Sequence, residues 1–62
     1  MNVGDLVRDK HFKKYGVVTS ESWHAPSKPG RHDIFEYVMV IWYHGVHTKY
    51  KTDYLEVING SR

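Results

Sequence analysis

The chain contains no cysteine and only two prolines. Without cysteine it forms no disulfide and offers no thiolate to zinc, so two common staples of small domains are excluded. The absence also suits a reducing compartment. No stretch approaches the roughly 18 consecutive apolar residues of a membrane helix. Met1 is followed at once by polar and charged residues rather than by the apolar core of a signal peptide. The expectation is a soluble protein in the cytoplasm of the cell that makes it, with no membrane partner. Helical signals are scarce: no window of about 11 residues or more repeats apolar positions at i, i+3, i+4 and i+7 behind a cap. Catalytic signatures are missing too. Ser20, Ser22, Ser27 and Ser61 sit in no Gly-x-Ser-x-Gly elbow, and no glycine-rich phosphate loop is present. A chain this small has little concave volume from which to exclude water. No enzyme and no cofactor are expected.

A strong charge is also lacking. Nine Lys plus Arg stand against seven Asp plus Glu, for a net +2 with histidine neutral. That total alone says little about nucleic acid. Five histidines invite a test for metal, but His44 and His47 straddle a turn and His24 and His32 flank a loop. Neither pair has helical i, i+4 spacing, there is no HExxH motif, and no set of four ligands is in view. Solvent-facing turn histidines are the simpler reading, and no metal site is expected.

What the chain does have is rings. Its 62 residues allow one domain, expected over 1–58 with 59–62 as a polar tail, and nine aromatic residues to stabilise it. Each ring can bury on the order of 150–250 Å². Short strands divided by turn residues account for the pattern. The first is expected at Leu6–Arg8, the second from Tyr15 to about Ser20. Gly16 should let the backbone pass close under a neighbouring side chain. Glu21–Asp33 holds both prolines and reads as one long loop, with Trp23 either folded back as a lid or waiting for a partner. Ile34–Tyr43 is the longest strand. Alternation sets Tyr37, Met39, Ile41 and Tyr43 on one side and Val38, Val40 and Trp42, the core set, on the other. His44-Gly45 turns the chain, Val46–Lys51 returns, Thr52–Tyr54 makes a brief helical turn, and Leu55–Ile58 is the last strand. The fold class expected is all-β: a small five-stranded SH3-like barrel with one long loop and a short helical turn before the final strand.

Particular phrases carry a family resemblance. "VGDLVRDK", Val3 to Lys10, resembles the opening of KOW-type SH3-like barrels, and "YGVV", Tyr15 to Val18, their following strand. "VMVIWYHG", then Tyr50, then "DYLEVI" is similar to the ending of Mib/Herc2-like and Tudor-like barrels. Short free-standing proteins of this pattern are common in tailed phages. The resemblance therefore implies a phage origin, with the host cytoplasm as location, and a non-catalytic binding module. KOW barrels bind RNA, ribosomal components or RNA polymerase; Tudor and Mib/Herc2 barrels bind peptides. A Tudor-type methyl-lysine cage would need several rings around one pocket. Trp42, Tyr43, Tyr50 and Tyr54 are available, but Trp42 is expected to point inward.

Two sets of residues compete for the role of binding site. Arg8, Lys10, Lys13 and Lys14 in the first loop, with Tyr43, His47, Lys49 and Lys51 in and after the hairpin, interleave cations and rings. That combination suits a single-stranded nucleic acid, whose phosphates meet lysines while its bases stack on rings. The partner would be nucleic acid or a protein of the transcription or translation machinery. The plainer account of the same lysines is protection of an edge strand from aggregation. Trp23, Arg31, Phe35 and Tyr37 lie in or beside the long loop and carry the side-chain types that anchor protein interfaces. They make a protein–protein adaptor or inhibitor, such as a phage protein against a host protein, the alternative. A virion accessory role, with copies pairing as a homo-oligomer through an open barrel edge, is the third class.

Overall fold

One strand, Ile34–Trp42, organises everything around it. The computed structural model describes residues 1–30 and 32–58, and in it the chain runs β1 (Leu6–Asp9), β2 (Tyr15–Val18), β3 (Trp23–Pro26), β4 (Ile34–Trp42), β5 (His47–Lys51), a 3₁₀ turn (Thr52–Tyr54) and β6 (Leu55–Val57). All pairings are antiparallel. β4 is long enough to serve two strands along one edge. Trp42–Val40 faces Gly16–Val18 of β2, and Tyr37–Ile34 faces Trp23–Pro26 of β3. Between them the ladder is carried by Thr19, whose N–H donates to the Met39 carbonyl at 2.9 Å, and by Ser20 Oγ, which accepts from Met39 N–H at 3.0 Å. β5 occupies the opposite edge of β4. β1 pairs with β2 on one side and β6 on the other. Among the described residues β5 and β6 form no ladder, and the 3₁₀ turn alone joins them. The result is an all-β antiparallel sheet curled into a half-barrel.

The expected all-β architecture and the helical turn before the last strand are present. A sixth strand is the departure. The stretch expected as a single loop, 21–33, begins with β3. Its alternation of half-buried Trp23 and Ala25 with exposed His24 and Pro26 covers only four residues, too few to register as a period. Proline can end this strand because β3 pairs on one side only among the described residues, so the missing N–H leaves no ladder bond unmade. Arg31 and the expected tail, 59–62, lie outside the described residues.

The core fills the concave side. Val7, Val18, Val38, Val40, Trp42 and Leu55 are buried there, with Met1 and Tyr50 packed against them. Trp42 is 2 % exposed, as the alternation in β4 requires. Its indole N–H donates to Thr48 Oγ1 at 2.7 Å, and Tyr50 meets its ring edge-on at 5.0 Å. The hairpin that brings Thr48 and Tyr50 back is the three-residue loop Tyr43–Gly45. Gly45 takes φ of +91° and donates to the Trp42 carbonyl at 2.8 Å. Gly16 lies directly opposite Trp42 in register. A Cβ there would stand 2.6 Å from Val40 Cγ1, 2.7 Å from the Ile41 carbonyl oxygen and 2.9 Å from Trp42 Cε3. The indole packs this close to β2 only because position 16 has no side chain.

Gly16→Ala should therefore lower stability by about 1–3 kcal/mol, because a backbone carbonyl cannot move aside as a side chain can. In a domain of this size that is a fall in Tm of several degrees per kcal/mol. An unchanged thermal melt would show that β2 and β4 pack more loosely than described. Trp42→Ala should cost about 3–5 kcal/mol and abolish the cooperative transition.

Candidate nucleic-acid interface

The basic loop between β1 and β2 is built around a carboxylate. Asp9 ends β1 and is fully buried. Its Oδ1 accepts the main-chain N–H of His11 at 2.7 Å and of Phe12 at 3.1 Å, and Oδ2 accepts the hydroxyl of Tyr50 from across the half-barrel. Main-chain bonds from Asp9 N–H to the Lys14 carbonyl and from Lys13 N–H to the Asp9 carbonyl, both 2.9 Å, close the loop. Burial pushes the Asp9 carboxyl up. The Tyr50 hydroxyl, the two N–H donors and the nearby Lys14 charge together outweigh burial and hold it below its ordinary value. Tyr50 moves the other way, pushed up to about 12 by burial and by the carboxylate it donates to.

Lys14 completes this arrangement. Its ammonium stands 4.5 Å from the Trp42 ring centre, 5.4 Å from that of Tyr50 and 6.0 Å from that of Phe12. It roofs the core instead of projecting into solvent. Lys10 and Lys13, by contrast, are exposed. Arg8 sits on the outer face of β1, opposite Glu56, and forms a 3.1 Å ion pair with it. That bond and charge raise the Arg8 pKa.

The outer face of β4 and β5 gathers residues from both competing sets. Register places Lys51 opposite Tyr37, Lys49 opposite Met39 and His47 opposite Ile41. Tyr50 and Thr48 alternate with them and face the core. Lys49 Nζ lies 4.8 Å from the Tyr37 ring centre; Lys51 Nζ lies 3.9 Å from that of Phe35 and 5.7 Å from that of Tyr54. Trp23, opposite Tyr37 on β3, stacks on it at 5.9 Å. Caught between the indole and Lys49, Tyr37 is only 5 % exposed despite its outward position. Trp23 thus lies back on the sheet, as a lid does. The residues weighed separately for nucleic acid and for protein are one surface: Trp23, Tyr37 and Lys49, then Phe35 and Lys51.

Tyr54 extends this surface round the end of the half-barrel. Its ring meets His11 edge-on at 5.5 Å, and its carbonyl accepts from Lys10 N–H at 2.9 Å. Phe12, beside His11, is 75 % exposed. Sequence reasoning placed Tyr54 in neither binding set, and no pattern marks it: the 3₁₀ turn carries it there. Asp9 was also missed. A carboxylate two and three residues before free main-chain N–H groups is the signal that could have revealed its loop-forming role. Tyr43 belongs elsewhere. It is 76 % exposed in the hairpin, at the opposite end of β5 from Lys51, stacked on His44 at 4.9 Å. It borders a groove of about 390 Å³ lined by Leu6, Tyr15, Val17 and Ile41. His47 hydrogen-bonds Thr19 Oγ1 at 2.6 Å. Among the described residues no three side chains of metal-binding type converge.

No family model, curated protein or solved structure matches the chain.

Stability should carry the signature of the Asp9–Tyr50 bond at both ends of the pH scale. Asp9, with a lowered pKa, contributes stability above its ordinary 3.8 that is lost as pH falls through its native value. Tyr50, with a raised one, contributes below its ordinary 10.0 and loses that contribution as pH climbs towards about 12. Asp9→Asn should shrink the acid limb, to which Glu36 also contributes, and Tyr50→Phe the alkaline one. A double-mutant cycle at neutral pH should return a coupling on the order of 1.5–3 kcal/mol, as for a hydrogen bond to a charged group. Additive effects would show that the two side chains do not meet in solution. In the same assay Lys14→Ala should destabilise the fold, while Lys10→Ala stays within about 0.5 kcal/mol of the parent.

Proposed function

We propose that the chain is a non-catalytic binding module of the SH3-like barrel type that takes single-stranded nucleic acid on the β4–β5 face and the adjoining 3₁₀ turn. The strand order, the 3₁₀ turn before the last strand and the pairing of the first strand with the last support the barrel reading. The observation that carries the functional one is the meeting of rings with an ammonium group: Lys51 stands 3.9 Å from the Phe35 ring centre and 5.7 Å from that of Tyr54, with Lys49 a neighbouring cation over the covered ring of Tyr37. A strand laid along such a face can set its phosphates against the lysines and its bases against the rings, each stack contributing about 1–3 kcal/mol. The exposed lysine and rings of the first loop, Lys10, His11 and Phe12, continue the track past Tyr54. A duplex, whose bases are already stacked on one another, would offer this face only phosphates. The nucleic acid would be met either free or within a nucleic-acid-processing assembly.

A protein-partner reading other than the one expected at Trp23, Arg31, Phe35 and Tyr37 draws on a different observation, the apolar groove beside Tyr43. Its residues lie at the hairpin end of the molecule, away from Lys51, so the two readings are separable by mutation.

A mobility-shift titration decides between them. Affinity for a single-stranded oligonucleotide should exceed that for the matching duplex and fall steeply between about 50 and 200 mM salt. Reversing charge at Lys49 and Lys51 should weaken binding. It should also flatten the slope of log affinity against log salt by about 0.7 for each phosphate no longer neutralised. Binding indifferent to salt and to both reversals would end the nucleic-acid reading.

A further inference from the structure

In the free protein the face that would stack bases is already covered, and the cover is part of the chain. Lys51 Nζ stands 3.9 Å from the Phe35 ring centre, close enough to occupy the place a base would take. The same ammonium is 5.7 Å from Tyr54. Both rings therefore share one cation, supplied by β5, a strand hydrogen-bonded on one side only among the described residues. Tyr37 is different. Trp23 covers it and Lys49 approaches it at 4.8 Å, leaving it 5 % exposed, so a base gains no access there unless an indole and a lysine both move. Phe35 and Tyr54 need only one flexible side chain to swing away.

We infer that Lys51 is a displaceable cap over a single-nucleotide slot between Phe35 and Tyr54. An entering nucleotide exchanges its base for the ammonium on the rings, and the released ammonium meets the nucleotide's phosphate. This rests on the nucleic-acid reading above and adds a subsite and a mode of entry to it. The exchange is favourable because an exposed cation–ring contact is weaker than a base–ring stack, and the charge that leaves the rings regains an anionic partner. The ligand class follows from the geometry: a planar base and a phosphate on one unit, with the base not already committed to a duplex.

The consequence is a Lys51 with two opposed effects. Lys51→Met keeps an unbranched stem, removes the charge and uncaps the rings. At low salt, where attraction to the phosphate dominates, this variant should bind oligothymidylate more weakly than the parent. At high salt, where that attraction is screened, it should bind more tightly, so the two salt curves cross. Lys51→Arg should not cross the parent curve, since guanidinium also caps rings. Direct observation comes from NMR of the parent protein. The Lys51 ε-methylene protons should be shifted upfield by the Phe35 ring in the free state and return towards ordinary values as oligothymidylate is added. A complex that forms while those protons stay upfield, or a Lys51→Met curve below the parent at every salt concentration, overturns the cap and leaves the nucleic-acid reading standing. Failure of the parent to bind oligothymidylate at about 50 mM salt removes that reading and the cap together.

Discussion

A single buried carboxylate ties the two halves of this molecule together. Asp9 is the only charged residue among the fully buried side chains described, and it would be costly there without its partners. It has three donors, two from the main chain of its own loop and one from Tyr50 on β5, with the Lys14 ammonium close by. These partners come from two separate parts of the fold, so satisfying the charge fixes their relative positions. The loop closes because His11 and Phe12 must point their N–H groups inward. β5 is held because Tyr50 must reach across to β1, which it does not pair with. Removing one partner would leave a buried charge short of a donor, which is costly even with the others in place.

From that constraint the proposed binding face follows by alternation. Tyr50 faces the core because Asp9 and the edge of Trp42 hold it there, and Thr48 because it accepts the indole N–H. With those two residues fixed inward, Lys49 and Lys51 can only face outward, over the rings that β4 presents at the same register. The 3₁₀ turn then begins directly after Lys51 and sets Tyr54 beside it. Glu36, on the inner alternation of β4, accepts from Thr52 Oγ1 at 2.9 Å and anchors the start of that turn. Ser22 and Thr52 hold its carboxyl below the ordinary value. The lysines and Tyr54 of the proposed track are thus placed by polar contacts made on the other side of the sheet, not by preferences of their own.

Sequence reasoning reached the parts of this governed by local rules. The inward set Val38, Val40 and Trp42 follows from period two in a long strand. Gly16 and Gly45 are required by a close approach and a left-handed turn, the two situations in which glycine is informative. The outward row His47, Lys49 and Lys51 follows in the same way. What escaped depends on contacts distant in sequence. Tyr37 reads as an outward ring available to a partner, yet Trp23 buries it from a strand too short to show a period. Lys14 reads as one more loop cation, yet it lies over Trp42, 28 positions further along the chain. Trp23 reads as lid or as anchor, and its stacking on Tyr37 sides with the lid.

The same lysines serve two ends that pull in different directions. β5 is an edge strand among the described residues, and edge strands invite pairing with other chains unless charge repels them. Lying over the rings, the lysine stems also cover apolar surface that a domain of this size can hardly leave wet. Both services require the ammonium groups to stay on the face. The proposed mode of binding requires at least one to leave. An arginine would cap the rings more firmly, through its planar guanidinium, and would therefore be harder to displace. Lysine, with a compact charge on a four-carbon stem, protects the rings in the free protein while still able to turn to a phosphate. The chain has six lysines and three arginines. The arginine within the sheet, Arg8, is held in an ion pair with Glu56. Among the described residues, whose one arginine is Arg8, the cations over the rings of the proposed track are lysines. Lysine is the cation suited to a cover that must also be able to open.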